Sequence, residues 1–394
     1  MNMRGVVMMV NELPPLPVGG AERQAERLAA YLVRNNWSVW IVTRGAAGLP
    51  SVEERNGYTI IRPLTFGHGK LRTITFMLFA TIALIRMRSH YGLLHAHLAF
   101  GPSFVAILVG RLLGKRVVVK LGNSGSIGDV NTSMKTLRGH LRFAAIKRWA
   151  DIVIVLSDAM RAEALSIGIP QERLRKFNNG IDASLYLPNR TKAEAKRSLG
   201  LDGKTIVLFV GRLDPIKSVH TALDALSLSL DKLPDLYLII VGDGPEMDSL
   251  VRRTRELDIV SSVAFMGIQQ EVRPYLEMAD LFVLPSKAEG ISNALLEAMS
   301  AQIACLAAPV GGNPEVLINE KYGLLVPHGD VNAWVDAILK ISSNLELRTK
   351  MGMSARERIL EEYDFTVVGK KYENLYIELL SRKQLPINKE LENG

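Results

Sequence analysis

Two carboxylates bracket the segment Glu289-Gly-Ile-Ser-Asn-Ala-Leu-Leu-Glu297, with an apolar run, Asp280-Leu-Phe-Val-Leu-Pro285, leading in and Ala294-Leu-Leu-Glu-Ala-Met299 leading out. The first run reads as a strand and the second as a helix, so Gly290, Ser292 and Asn293 form a polar turn at a helix N-terminus. The unpaired N–H groups there favour anions. One carboxylate then sits above the anion site and the other one helical turn inside it. That arrangement suits a nucleoside diphosphate with hydroxyl-rich groups at both ends: backbone amides hold phosphate and carboxylates accept hydroxyls. Either Glu alone reads more readily as an ordinary loop or helix charge, so the reading depends on what accompanies the pair.

Several further segments carry chemistry. Gly211-Arg-Leu-Asp-Pro-Ile-Lys217 follows a strand and offers two cations; Arg212 can take a diphosphate in bidentate fashion and Lys217 adds a point charge. Val241-Gly242-Asp-Gly-Pro245 ends another strand in a tight turn. Pro17-Val-Gly19-Gly20-Ala-Glu22 opens the first helix, and its glycines permit close backbone approach to an anionic group. The spacing is not a dinucleotide fingerprint. His95 and His97 alternate on one strand and share a face, either lining a pocket or bonded within the core. They lack the further ligands a metal site needs, and no Asp-x-Asp occurs in the chain. Neither a metal nor another cofactor is expected.

The elements that must position these residues alternate short β-branched runs with longer helical stretches, the pattern of parallel α/β architecture. Strands are expected near residues 5–10, 38–43, 93–97, 116–120 and 152–156, then 205–211, 237–241, 263–266, 280–284, 304–307 and 323–326. Helices are expected at 21–34, 71–88, 103–113 and 137–149, within the connection at 191–199, then at 219–229, 246–256, 274–278, 294–299, 314–318 and 331–341. Each half reads as a doubly wound, Rossmann-like sheet, whose ligands gather at the carboxyl ends of the strands, so two facing halves make a cleft. The expected division is residues 1–185, a linker at 186–202, a second domain at 203–365, and a C-terminal helix and tail at 366–394.

At 394 residues, 48% hydrophobic and 22% charged, the chain suits two packed domains. The single Cys305 excludes an internal disulfide and fits a reducing compartment. The start carries no secretory pattern, and the apolar run from Ile74 to Ile85 is short of the roughly 20 residues that cross a bilayer. A cytoplasmic location is the expectation. The net charge of +8 hides a division: residues 1–190 carry 25 basic and 11 acidic side chains, the remainder 23 and 29. A basic half suggests an anionic partner. The interleaving of aromatic and basic residues typical of single-strand binders is missing, so a membrane surface is expected rather than nucleic acid.

Taken in order, Gly19-Gly-Ala-Glu22, His95-Ala-His97, Asn179-Gly-Ile-Asp182, Gly211-Arg212 with Lys217, Gly242-Asp-Gly-Pro245, Ala279-Asp280 through Pro285-Ser286, Glu289 to Glu297, and Gly311-Gly312 with Glu315 resemble the retaining glycosyltransferases of family 4, in the GT-B class. The resemblance covers nearly the whole chain. It implies a sugar moved from a nucleotide-sugar donor, UDP-sugars first, to an acceptor. The charge division and the apolar run from Ile74 to Ile85 lead to the expectation of a glycan or lipid-linked acceptor, in cell-surface polysaccharide or glycolipid synthesis, and of an enzyme peripheral at the inner face of the membrane through its N-terminal half. The resemblance implies that Arg212 and Lys217 bind the diphosphate, Glu297 holds the ribose and Glu289 contacts the transferred sugar. Ser292, Asn293 and Ala294 would cap the phosphates, with Gly19 and Gly20 approaching from across the cleft, and His97 would stand beside the reacting carbon. Two positions depart from the family pattern: Ser218 replaces a Gly after the Lys, and Ser300-Ala-Gln-Ile303 lacks its Gly and Pro. A sugar-nucleotide epimerase or phosphorylase of the same architecture is the enzymatic alternative, and a non-catalytic binder of anionic lipid or nucleic acid the other.

Overall fold

The computed structural model describes residues 4–16, 19–124 and 128–382; residues 1–3, Pro17 and Val18, residues 125–127, and the tail from Lys383 lie outside it. The first half runs β1 (Gly5–Met9), α1 (Gly20–Arg34), β2 (Ser38–Val42), β3 (Val52–Arg55), β4 (Tyr58–Ile61), α2 (Gly69–Arg86), β5 (Leu93–His97), α3 (Gly101–Leu113), β6 (Arg116–Lys120), α4 (Asp129–Met134), α5 (Leu137–Trp149), β7 (Ile152–Val155), α6 (Asp158–Ser166) and β8 (Leu174–Lys176). Its sheet has the order β3-β4-β2-β1-β5-β6-β7-β8, parallel except for the β3–β4 hairpin. That hairpin turns on Asn56 and Gly57, both at positive φ, a two-residue signal that the sequence expectations passed over.

After α7 (Lys192–Arg197), the second half runs β9 (Thr205–Val210), α8 (Val219–Leu230), β10 (Leu236–Val241), α9 (Met247–Glu256), β11 (Val263–Phe265), α10 (Arg273–Met278), β12 (Leu281–Leu284), α11 (Asn293–Ser300), β13 (Ala304–Ala307), α12 (Asn313–Leu317), β14 (Leu324–Leu325), α13 (Val331–Ser342) and α14 (Leu345–Arg358). Its sheet is all parallel, in the order β11-β10-β9-β12-β13-β14. The expected elements are present with ends shifted by one or two residues. The expectations omitted β3, β4, β8, α4, α6 and α14.

Central strands are largely apolar because helices cover both faces; the exceptions are His95 and His97 of β5 and Arg116 and Lys120 of β6. In β1, Val7 and Met9 join the core beneath α2, α3 and α5, through Phe76, Val105, Phe143 and Ile146, while Val6 and Met8 point to the opposite face. That second face is closed by α1 and by the last helix, α15 (Phe365–Ser381), which returns from the second half. Its aromatics interlock with the first half: Tyr31 and Phe365 lie 6.2 Å apart, and Trp37 meets Tyr376 edge-on at 5.7 Å. The outward and return strands of chain touch where they cross, since Ile181 donates to the Tyr363 carbonyl and Phe365 to the Ile181 carbonyl, both at 2.8 Å.

Candidate active site

The turn after β12 is built from interlocking backbone. Gly312 donates to the Gly290 carbonyl at 2.6 Å, and Gly311, at φ 57°, lies so close that a Cβ there would meet the Glu289 carbonyl at 2.0 Å. From across the cleft, the Gly122 carbonyl would lie 2.2 Å from a Cβ on Gly290. Ser124 donates to the Glu289 carbonyl at 3.3 Å. The loop after β6 and the turn after β12 therefore meet backbone to backbone, which only glycine allows.

Side chains converge on this frame. Lys217 donates to Glu289 Oε1 at 2.6 Å and Ser286 to the same oxygen at 2.7 Å. Arg212, at the end of β9, keeps its guanidinium in solvent beyond a long 3.9 Å approach to Asp214. Gly242, at φ 134°, lets the ends of β9 and β10 close, since a Cβ there would lie 1.9 Å from the Gly211 carbonyl. Ser292 caps α11 by accepting from the Leu295 N–H, which leaves the remaining first-turn amides of that helix to face an anion. Across the cleft, Gly20 abuts the Asn293 amide, and Gly19 donates to Glu22, whose carboxyl is pushed up by burial.

Thus Lys217, Glu289, Ser292 and Asn293 come together with Gly20, and Arg212 stands at the rim. Glu297 lies one turn along α11 and is almost wholly buried, 3% exposed, because Arg27 of α1 reaches it at 3.3 Å. Sequence reasoning missed Arg27 and its neighbours. Gln24 grips Gly180 through both amide atoms, accepting from its N–H at 2.9 Å and donating to its carbonyl at 2.7 Å, and also donates to Asn293 at 3.0 Å. Arg27 also donates to the Gly180 carbonyl and to the Tyr186 hydroxyl. The available signal was spacing: Gly20, Gln24 and Arg27 share one face of a helix.

The histidines lie deeper. His95 and His97 pack with ring centroids 4.1 Å apart and planes tilted by 37°, and Tyr376 and His95 Nδ1 share a 2.6 Å hydrogen bond. Both ring nitrogens of His97 are buried without a hydrogen-bond partner. Burial holds both imidazoles well below the usual histidine range, that is, neutral. Beside them Lys120, opposite His97 in the β5–β6 register, is buried so completely that its ammonium falls to about 7. It donates to Asn179 at 2.9 Å, and Asn179 donates to the Ile291 carbonyl at 3.0 Å, inside the turn that follows Glu289.

Comparison with known proteins gives the same two halves. Residues 18–185 match the model described as Glycosyltransferase Family 4, and residues 191–358 that of Glycosyl transferases group 1. The N-acetyl-alpha-D-glucosaminyl L-malate synthase of Bacillus anthracis is 28% identical over 304 residues, covering 77% of this chain and 79% of that protein. The GDP-mannose-dependent alpha-(1-6)-phosphatidylinositol monomannoside mannosyltransferase of Mycolicibacterium smegmatis is 26% identical over 386 residues, covering 94% and 97%. Among solved structures, Anabaena HepE in complex with UDP and glucose superposes with a TM-score of 0.81 at 19% identity, over 95% of this chain and 99% of that one. WaaG, a glycosyltransferase involved in lipopolysaccharide biosynthesis, gives 0.74 at 18% identity, over 94% and 99%.

Proposed function

Since the chain belongs to glycosyltransferase family 4, of the GT-B class, we propose that this glycosyltransferase moves a sugar, with retention of configuration, from a nucleotide-sugar to a lipid-linked or glycan acceptor. The carrying observation is Lys217 paired with Glu289 at 2.6 Å over the N-terminus of α11, with Arg212 free to reach the same place. In this reading Arg212, Lys217 and the amides of Ser292, Asn293 and Ala294 hold the diphosphate. The cations stabilise the charge that gathers on it as the glycosidic bond breaks, with no metal required. Glu289 contacts the transferred sugar, Glu297 the ribose hydroxyls, and Gly19 and Gly20 approach the phosphates from the first half. His97 acts from behind this surface, beside the reacting carbon. UDP is the first candidate nucleotide, supported by the UDP complexes of HepE.

The acceptor side is read from the first half. Helices α2, α3 and α5, which pack side by side, contain eight basic residues and no Asp or Glu. They expose Leu71, Ile74, Leu78, Phe104, Leu108, Leu112, Leu137 and Leu141. Such a face suits an anionic bilayer surface, from which a lipid-linked acceptor could be taken. The mycobacterial relative, named for a phosphatidylinositol monomannoside substrate, supports that choice.

The test is a thermal-shift screen with UDP, GDP, ADP and dTDP, followed by transfer from the matching sugar donor and NMR assignment of the product anomer. One nucleotide should raise the melting temperature. Glu297→Ala should abolish that rise without lowering the melting temperature of the free protein by more than a few degrees. A screen in which no nucleotide stabilises the protein, or an inverted anomer in the product, would overturn the reading.

A further inference from the structure

Glu297 offers the ribose no open approach: its side chain is 3% exposed and its carboxylate is held by Arg27 at 3.3 Å, with the Tyr186 hydroxyl bonded beside it. The contact is one rung of a ladder. Gly20, Gln24 and Arg27 follow one face of α1, and Asn293 and Glu297 are one turn apart on α11, so the two helices meet through matched pairs. Gln24 donates to Asn293 at 3.0 Å, Asn293 donates to the Gly20 carbonyl at 3.3 Å, and Arg27 reaches Glu297. Arg27 is anchored in turn on the Gly180 carbonyl at 3.2 Å. The guanidinium presents N–H donors to the carboxylate much as a pair of sugar hydroxyls would present O–H donors.

We propose that Arg27, assisted by Tyr186, is a built-in competitor for the ribose carboxylate, a latch between the two halves that a nucleotide must displace before Glu297 can receive it. The proposal rests on the assignment of Glu297 to the donor ribose. The physical consequence is a reduced apparent affinity, because only the unlatched fraction of molecules binds; a latch closed in nine molecules of ten weakens binding about tenfold. The latch also links donor binding to the relative position of the halves. Arg27 belongs to the first half, Tyr186 to the connection, and Glu297 to the second.

The experiment is titration calorimetry of the full chain with UDP and with 2′-deoxy-UDP, using whichever base the thermal-shift screen selects if it is not uracil. Arg27→Met, which keeps the aliphatic stem and removes the donors, should bind both nucleotides about five- to tenfold more tightly. Tyr186→Phe should shift both in the same direction by a smaller factor. Glu297→Gln should weaken the ribonucleotide more than its deoxy analogue. If Arg27→Met binds more weakly or unchanged while Glu297→Gln still discriminates between the two sugars, the latch is wrong and the ribose assignment stands. If Glu297→Gln affects both nucleotides equally, the ribose assignment fails and the latch fails with it. Melting temperatures of the free variants check that each is folded, and Arg27→Lys, which keeps the charge, should lie between Arg27→Met and the parent.

Discussion

At the scale of single residues, the group least expected from the sequence is Lys120. In the sequence it ends an apolar strand; in the fold its ammonium is buried beside His97, bonds Asn179, and lies 5.7 Å from the Tyr372 ring. Those partners come from distant parts of the chain, and no local pattern could announce them. Glu289 and Lys217, by contrast, were legible as neighbours, because each lies in the loop that follows the carboxyl end of a strand of one parallel sheet, and β9 and β12 are adjacent. Burial lowers Lys120 to about 7, and the sign of its effect on stability follows from linkage. Below pH 7 the ammonium is charged in both states and the fold bears the full desolvation cost. Between pH 7 and the unfolded value of about 10.4, only the unfolded chain keeps the proton, so stability rises with pH. His95 and His97 are held neutral and contribute below that window, whereas Tyr372 and Tyr376 are pushed up and contribute above it. The stability of the parent relative to Lys120→Met should therefore increase between pH 6.5 and pH 9.5, as read from paired thermal melts. Parallel profiles would show that the lysine is not strained by burial.

At the scale of elements, the two departures from the family pattern share one backbone conformation. Ser218, the residue before α8, has φ 50°, and Gln302, between α11 and β13, has φ 59°. Both positions are left-handed, where glycine is the residue without a steric penalty, of roughly 1–2 kcal/mol for others. Ser218 is supported, since its hydroxyl lies 3.1 Å from His328 Nε2. Gln302 gains no comparable side-chain bond among the described residues. Gln302→Gly should therefore raise the melting temperature by about 2–4 °C, the equivalent of roughly 1 kcal/mol for a domain of this size, and Ser218→Gly should leave it nearly unchanged. Equal gains at both positions would mean that His328 gives Ser218 no support. Element types were readable where the apolar period was long, as in α1 and α13. They were lost where an element is short or polar, as in β8 with three residues, or α14 with its mixed polar sequence. Hairpin β3–β4 was readable from Asn56-Gly57 and was overlooked.

At the scale of the whole molecule, the division into two Rossmann-like halves was legible because the strand–helix alternation restarts at Thr205. The contact between the halves was not, because it is made of glycine carbonyls and of α1 side chains whose partners lie on α11 and in the connection, far away in the chain. The charge division belongs to this scale as well. Eight of the 25 basic residues of the first half, and none of its acidic ones, lie on α2, α3 and α5, which also expose large apolar side chains at helical spacing: Leu71, Ile74 and Leu78 on α2, and Phe104, Leu108 and Leu112 on α3. Among the described residues no helix is long and apolar enough to cross a membrane; on the reading proposed above, the face of these three helices attaches laterally, by charge first and by shallow insertion second. The two contributions separate by salt. Each surface cation near an anionic bilayer adds about 1 kcal/mol, and the attraction is screened within about 10 Å at 0.1 M salt. In co-sedimentation with vesicles of phosphatidylglycerol and phosphatidylcholine, the parent should bind at low salt and be partly retained at 0.5 M. Reversing Lys70, Arg138 and Lys147 to Glu should abolish the low-salt binding, whereas Ile74→Ser with Leu108→Ser should remove only the salt-resistant part. Equal binding to pure phosphatidylcholine, or indifference to all of these substitutions, would place the acceptor elsewhere and leave the basic face as solvated surface.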